Sequence, residues 1–259
     1  EEFNISGVSF SELQIDLSGN YQNIKHFNVT PTGLRALSIN GWNPKPNENS
    51  INFSTDNLVA LSMTNSPVEI KLPDSFKNMS ALRALDISRS QFTDLDFEYE
   101  ESNNTLTKIT AESCLLLESI LLKNTDVLSI VNLNGCELFT GFNNEAGVSN
   151  LPTSITELYL SNTSVNSIEL NSTYTTLSKL TPPESVKTIS IPGISSLSGF
   201  YIGDDEQPTT NISSLASLES LDISSTGFPS LIGDGTNGQV LSSVDATGTS
   251  DIQLTNYNK

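Results

Sequence analysis

Histidine occurs once, at His26, and cysteine twice, at Cys114 and Cys136, in a chain of 259 residues. A single histidine cannot supply a multi-histidine zinc site, and it leaves a Ser-His-Asp triad one candidate base. Two cysteines do not make a disulfide framework. Basic residues are scarce: 12 Lys and Arg stand against 30 Asp and Glu, for a formal charge of -18. Such a polyanion is repelled by phosphate backbones and anionic membrane surfaces, which excludes nucleic acid as the expected partner. No apolar run approaches the ~20 residues that span a bilayer as a helix, so a membrane-spanning segment is not expected. The opening at Glu1 and Glu2, without an initiator Met or a leader, reads as an excised piece of something longer. Hydrophobic residues make up only 36% of the chain, little for a spherical core but enough for the narrow core column of a repeat protein.

What the chain does contain is Ser, Thr and Asn, roughly a third of all residues, and a repeat. Apolar-rich segments start at Phe10, Leu34, Leu58, Leu82 and Leu106, each 24 residues after the last, and then at Leu128, Ile155, Val186, Leu218 and Leu241. Their template is apolar-x-x-apolar-x-apolar-x-x-small-x-apolar. The inner alternation has period 2, so each copy predicts a short strand with one buried face. One such strand cannot bury that face alone, whereas stacked copies build a parallel sheet over a continuous apolar column. Leu37, Leu61, Leu85, Ile109, Val131, Leu158, Ile189 and Leu221 are expected to form one buried row. Ile39, Met63, Ile87, Leu133, Leu160, Ile191 and Ile223 should lie beside it.

The return side of each coil also alternates, in segments from Ile24, Pro67, Phe92 and Ser164; the Leu-rich run from Leu115 belongs there too. Only the segment from Leu72 has a helical spacing. Four stretches, from Gly41, Phe142, Asn171 and Gly199, are expected to leave the column as loops.

The template resembles the leucine-rich repeat family, and the likeness runs from about Phe10 to Ile252. The Ser/Thr/Asn-rich texture is similar to repeat proteins exported by bacteria of the Bacteroidetes type. The resemblance implies one β-rich, right-handed solenoid of about ten coils over residues 1–259, with one parallel sheet, a return side of strand and loop, and little helix. At the ladder slot, where the family carries Asn, this chain has Ser18, Trp42, Ser66, Ser90, Cys114, Cys136, Thr163, Ile194, Thr226 and Thr249. Cys114 and Cys136 are thus equivalent residues of consecutive coils, close enough for a disulfide. Equivalent ladder side chains point the same way, however, which favours two free buried thiols.

No motif of nucleophilic or metal catalysis is present, and neither an enzymatic activity nor a cofactor is expected. The acidic runs at 203–206 and 233–238 lack the oxygen spacing of calcium loops and read as solvated turns, so no metal is expected. His26, on a return strand, reads as an ordinary surface residue. The eight Asn-x-Ser/Thr sequons, Asn4, Asn28 and Asn211 among them, follow from composition.

The family's usual partner surface is the exposed sheet face. The residues marked for partner contact are Asp86, Lys108, Asn132, Tyr159, Asp222 and Asp245 on that face, with Trp42 either an exposed anchor or a buried plug. The expected function is a non-enzymatic binding or adhesion module for a protein or glycan, extracellular or at a bacterial cell surface. The alternative is a structural subunit of an extracellular or phage assembly, displayed on a virion. Neither terminus reads as a capping unit, so further domains or subunits are expected at the solenoid ends.

Overall fold

The computed structural model describes residues 2–19, 24–43, 50–53, 57–67, 79–98, 105–143, 146–149, 151–203, 206–235 and 239–257. Among them are twenty strands, numbered in chain order, and no helix. They wind into a parallel β-solenoid of about nine turns. The first half of the segment from Leu72, and most of that from Pro67, lie outside the described residues; the second half, Met79 to Leu85, is a turn leading into a strand and not the helix its spacing suggested.

A front sheet of eight strands carries the first two thirds of the molecule. In spatial order it holds β2 (Glu12–Asp16), β4 (Ala36–Asn40), β6 (Ala60–Thr64), β7 (Ala84–Asp86), β9 (Lys108–Thr110), β11 (Ile130–Asn132), β13 (Glu157–Tyr159) and β15 (Lys179–Thr181). Each pairs in parallel with the next and in step, so Leu37, Leu61, Leu85, Ile109, Val131 and Leu158 form one row, as the alternation requires. The return side is strand as well. β1 (Glu2–Ser9), β3 (His26–Thr32) and β5 (Ser50–Phe53) pair there, and so do β8 (Asp94–Glu98), β10 (Ser119–Lys123) and β12 (Gly141–Phe142). The Leu-rich run from Leu115 supplies β10, as its half-coil spacing from Leu106 implies. The apolar sides of front and back meet in one buried cluster.

Two expectations are corrected here. The row does not continue from Leu158 to Ile189 and Leu221. Leu158 pairs with Leu180 of β15, inside the stretch from Asn171 that the sequence suggested was a loop. Tyr174, Leu177 and Leu180 are buried, so this stretch is half a coil. β14 (Ser167–Glu169), β16 (Thr188–Ser190), β17 (Ser220–Asp222) and β19 (Ser243–Asp245) then form a sheet on the back. Val148 links it to the earlier back strands by bridging to Ile168. The front continues through Tyr201, whose N–H donates to the Leu180 carbonyl at 2.9 Å, to β18 (Ser230–Asp234) and β20 (Asp251–Thr255). The template strands are therefore divided between the front and the back, and the template changes face between Ile155 and Val186.

The corner explains why one template serves both faces. After every matching strand but the first, a residue adopts a left-handed conformation: Gly41, Asn65, Arg89, Ser113, Gly135 and Asn162 leaving the front, and Gly193, Ser225 and Gly248 leaving the back. In seven of these corners, Asn162 and Gly248 apart, its N–H donates to a carbonyl of the next coil, from Arg89 to Glu112 at 2.7 Å on the front and from Gly193 to Ser224 at 2.7 Å on the back. At Gly41 the conformation (φ 72°) leaves no room for a side chain, since a Cβ would stand 2.9 Å from the Ser18 backbone.

At three consecutive ladder slots a short donor reaches back one coil, whereas Thr163 and Thr226 bond to carbonyls of their own coil, Leu160 and Ile223. Ser90 Oγ donates to the Met63 carbonyl at 2.8 Å, Cys114 Sγ to Ile87 at 3.0 Å and Cys136 Sγ to Ala111 at 2.8 Å. Both thiols are free and buried. Hydrogen bonding to Cys114, together with burial, pushes the Cys136 thiol well above its usual pKa. We expect neither cysteine to react with a thiol reagent in the native protein, and both to react in denaturant without reductant. Absence of reactive thiol in the denatured, unreduced protein would reveal a disulfide.

Candidate functional site

The outward residues of the front sheet follow from the alternation. Ala36, Ala60 and Ala84 stand side by side on β4, β6 and β7, and Ser38 and Ser62 repeat two residues on. Small side chains in the middle of a sheet leave a shallow trough, about 260 Å³ in volume. Its floor is alanine and serine. Glu12 and Gln14 close one end, and Asp86, Lys108 and Thr110 the other. The volume is too small and the trough too open for a compact cofactor; it matches a chain laid across the strands.

Beyond the trough the same face becomes aromatic and charged. Lys179 Nζ lies 4.8 Å from the ring centroid of Tyr159 and 4.6 Å from that of Tyr201. Both rings thereby hold the ammonium in place. The Tyr159 hydroxyl donates to Glu157 Oε2 at 2.5 Å. Burial, then this carboxylate, pushes the phenol pKa up, so Tyr159 stays neutral. Beside it, Asn132 Nδ2 donates to Glu112 Oε1 at 2.6 Å.

The seven residues marked by sequence therefore separate. Asp86, Lys108, Asn132 and Tyr159 share the front face, as expected. Asp222 and Asp245 lie on β17 and β19 of the back sheet and cannot join them. Trp42 is fully buried, with its Nε1–H donating to the Ile24 carbonyl at 2.9 Å and its ring edge-on to Phe27. It is the plug, not the anchor. Sequence reasoning missed Lys179 and Tyr201, both in stretches taken for loops. The alternating Lys-Leu-Thr of β15, 22 residues after Glu157-Leu-Tyr, was the available signal.

Several acidic and amide residues also have a structural duty. Asp86 Oδ1 accepts from the Ser88 N–H and hydroxyl, at 3.0 and 2.7 Å. Asp222 is held in the same way by Ser224, and Asp245 by Thr247. Asn171 and Asn211 do the same with Thr173 and Ser213, which accounts for these two sequons as turn motifs. His26 is exposed and hydrogen-bonded to Ser50 at 2.8 Å. Among the described residues no group of three or more His, Cys, Asp or Glu is placed to hold a metal. The acidic runs at 203–206 and 233–238 fall partly outside the described residues.

Asp222 and Asp245 face each other across β17 and β19, and like charges in that position repel. Asp245→Asn keeps an oxygen at the turn but loses the charge that strengthens its hydrogen bonds from Thr247, so at neutral pH it should melt slightly below the parent at low salt and in 0.5 M NaCl. Asp245→Ala loses the cap and should melt lower in both. The Thr247 hydroxyl and N–H hold the Asp245 carboxyl below its usual pKa. The stabilisation from ionised Asp245 is thus complete above the ordinary carboxylate pKa and lost as pH falls through the lower folded-state value. Thermal melts across pH and salt check these signs.

Fold and face together define a class, a parallel β-solenoid with a trough and an aromatic ledge on one outer sheet. No protein-family model and no curated protein matches the sequence.

Proposed function

We propose that this protein is a non-enzymatic recognition module of the leucine-rich-repeat kind, exported to the extracellular space or cell surface, which binds a glycan or protein segment along its front sheet. The observation that carries the reading is the alignment on one face of the Ala36–Ala60–Ala84 trough with the Tyr159–Lys179–Tyr201 ledge. The trough gives backbone-like access for an extended chain. The tyrosines give rigid, amphipathic contact area at low entropic cost, and the fixed ammonium gives a directional polar contact. The recurring template and the hydroxyl-rich, lysine-poor surface support the family and the extracellular setting.

The test is retention of the labelled protein on an array of soluble neutral and acidic polysaccharides and mucin-type glycoproteins. Ala60→Arg fills the trough from an outward, half-buried strand position. Binding to a retained probe should fall at least about tenfold in this variant and in Tyr159→Ala, with melting temperatures close to the parent. A silent array, or Ala60→Arg binding as well as the parent, would refute the proposal.

A further inference from the structure

Arginine occurs three times in the chain, at Arg35, Arg83 and Arg89, and two of the three meet in one place. Where four successive coils turn from the back into the front sheet, they leave an open hollow of about 480 Å³, in the size range of small-ligand sites. Arg35 and Arg83 both line it, with Val59 between them. The register dictates this arrangement. The three residues immediately precede Ala36, Ala60 and Ala84 of the trough row, so the two arginines stand two strand spacings apart, about 10 Å at Cα.

Both guanidinium groups are left over. Arg35 and Arg83 are exposed, and among the described residues neither side chain pairs with a carboxylate or donates to an acceptor. Lys187, by contrast, pairs with Glu219 at 3.1 Å. No Asp or Glu lines the hollow, although the chain carries a formal charge of -18. Two like charges fixed about 10 Å apart gain from an anion placed between them.

The rest of the lining identifies what carries the anion. The Thr32 hydroxyl and the Asn57 amide have no partner among the described residues. Thr105 Oγ1 donates to the Ser80 and Leu82 carbonyls, at 2.9 and 2.8 Å, which leaves its lone pairs open. Such groups suit the hydroxyls of a sugar, and Val59 and Ala81 give its ring a small apolar floor. A peptide finds less here. No aromatic or large apolar side chain lines the hollow to seat an anchor. The strand backbone is spent as well: the N–H groups of Arg35, Val59 and Arg83 donate to the preceding coil, and their carbonyls accept from the next, so there is no free edge to extend.

We propose that this hollow binds the carboxylate of an acidic sugar, a uronate or a sialate. Arg35 and Arg83 hold the carboxylate from either side of Val59, and Thr32, Asn57 and Thr105 contact the ring hydroxyls. Such a ligand brings one charge, so the net charge of the protein, screened beyond about 8 Å at physiological salt, opposes it little. The site is distinct from the trough and the ledge, and the two proposals fail separately because their variants differ.

Isothermal titration calorimetry with two matched pairs tests it: methyl glucuronoside against methyl glucoside, and sialyllactose against lactose. At least one acid should bind with a Kd of about 1 mM or tighter, and its neutral counterpart at least about tenfold more weakly. Arg35→Gln and Arg83→Gln should each weaken that acid several-fold, and the double variant at least about tenfold, with melting temperatures close to the parent. Arg89→Gln makes the same change in net charge outside the hollow and should bind as the parent does. Acetate and triglutamate are the free-anion and acidic-peptide probes. Silence of both acids, no preference for an acid over its neutral counterpart, an equal loss in Arg89→Gln, or acetate or triglutamate binding as tightly as the sugar would each overturn the proposal.

Discussion

Replacing Trp42 by Ala is expected to cost about 3 to 5 kcal/mol of stability in denaturant melts, the range for truncating a buried Trp. The indole is completely buried. Its ring stands 4.7 Å from that of Phe27, at 88°, and Phe27 in turn lies 5.1 Å from Phe3. Deletion would therefore open a cavity between three aromatic positions near the start of the solenoid and leave the Ile24 carbonyl without its 2.9 Å donor. Trp42→Phe keeps most of the volume and loses only the hydrogen bond, so it should cost about 1 to 2 kcal/mol. Trp42 is the only tryptophan, which makes native emission blue-shifted and its red shift a direct report on this end of the column. A truncation cost under about 0.5 kcal/mol, the usual result at a surface position, would return Trp42 to the exterior.

Leu180→Ala separates the structure from the repeat count. As part of a projecting loop, Leu180 would tolerate Ala with little change. As the β15 member of the front row it is fully buried against Leu158, and the loss should be about 2 to 5 kcal/mol. Ile189→Ala and Leu221→Ala carry a similar penalty from the opposite sheet, because both are buried there. Equilibrium urea melts of the three variants measure this directly. A near-neutral Leu180→Ala would restore the unbroken row from Leu158 to Ile189.

Strand identity was legible because alternation is local. Leu37 and Ile39, or Ile189 and Ile191, announce a half-buried strand and its inward side without reference to neighbours. Sheet membership was not, because it depends on counting half coils. The corner after Ile191 (Gly193) repeats the corner after Ile39 (Gly41), so Val186 fits the template as well as Leu34 does while feeding the other sheet. The missing strand was hidden by its surroundings. Thr-rich sequence precedes Lys179, and Pro182 and Pro183 follow Thr181, where the chain leaves the ladder and no N–H is required. The same miscount moved Asp222 and Asp245 onto the wrong face and concealed Lys179 and Tyr201. Asp86, Lys108, Asn132 and Tyr159 came out together because all four precede the break. Trp42 could not be placed from its slot alone, since the slot otherwise holds small donors, Ile194 apart, and no single-sequence signal shows that Phe27 and Ile24 await an indole.

The two chain ends lie at opposite ends of the coil stack, β1 in the first turn and β20 in the last. A pull between them runs across the hydrogen bonds of every ladder, loading each coil's few bonds one after another and never all at once. A coil of 24 residues held in the stack occupies about 5 Å of axis, and drawn out it spans about 80 Å. Under tension the molecule behaves as a reel: it yields length turn by turn at modest force, and the turns still wound keep their shape.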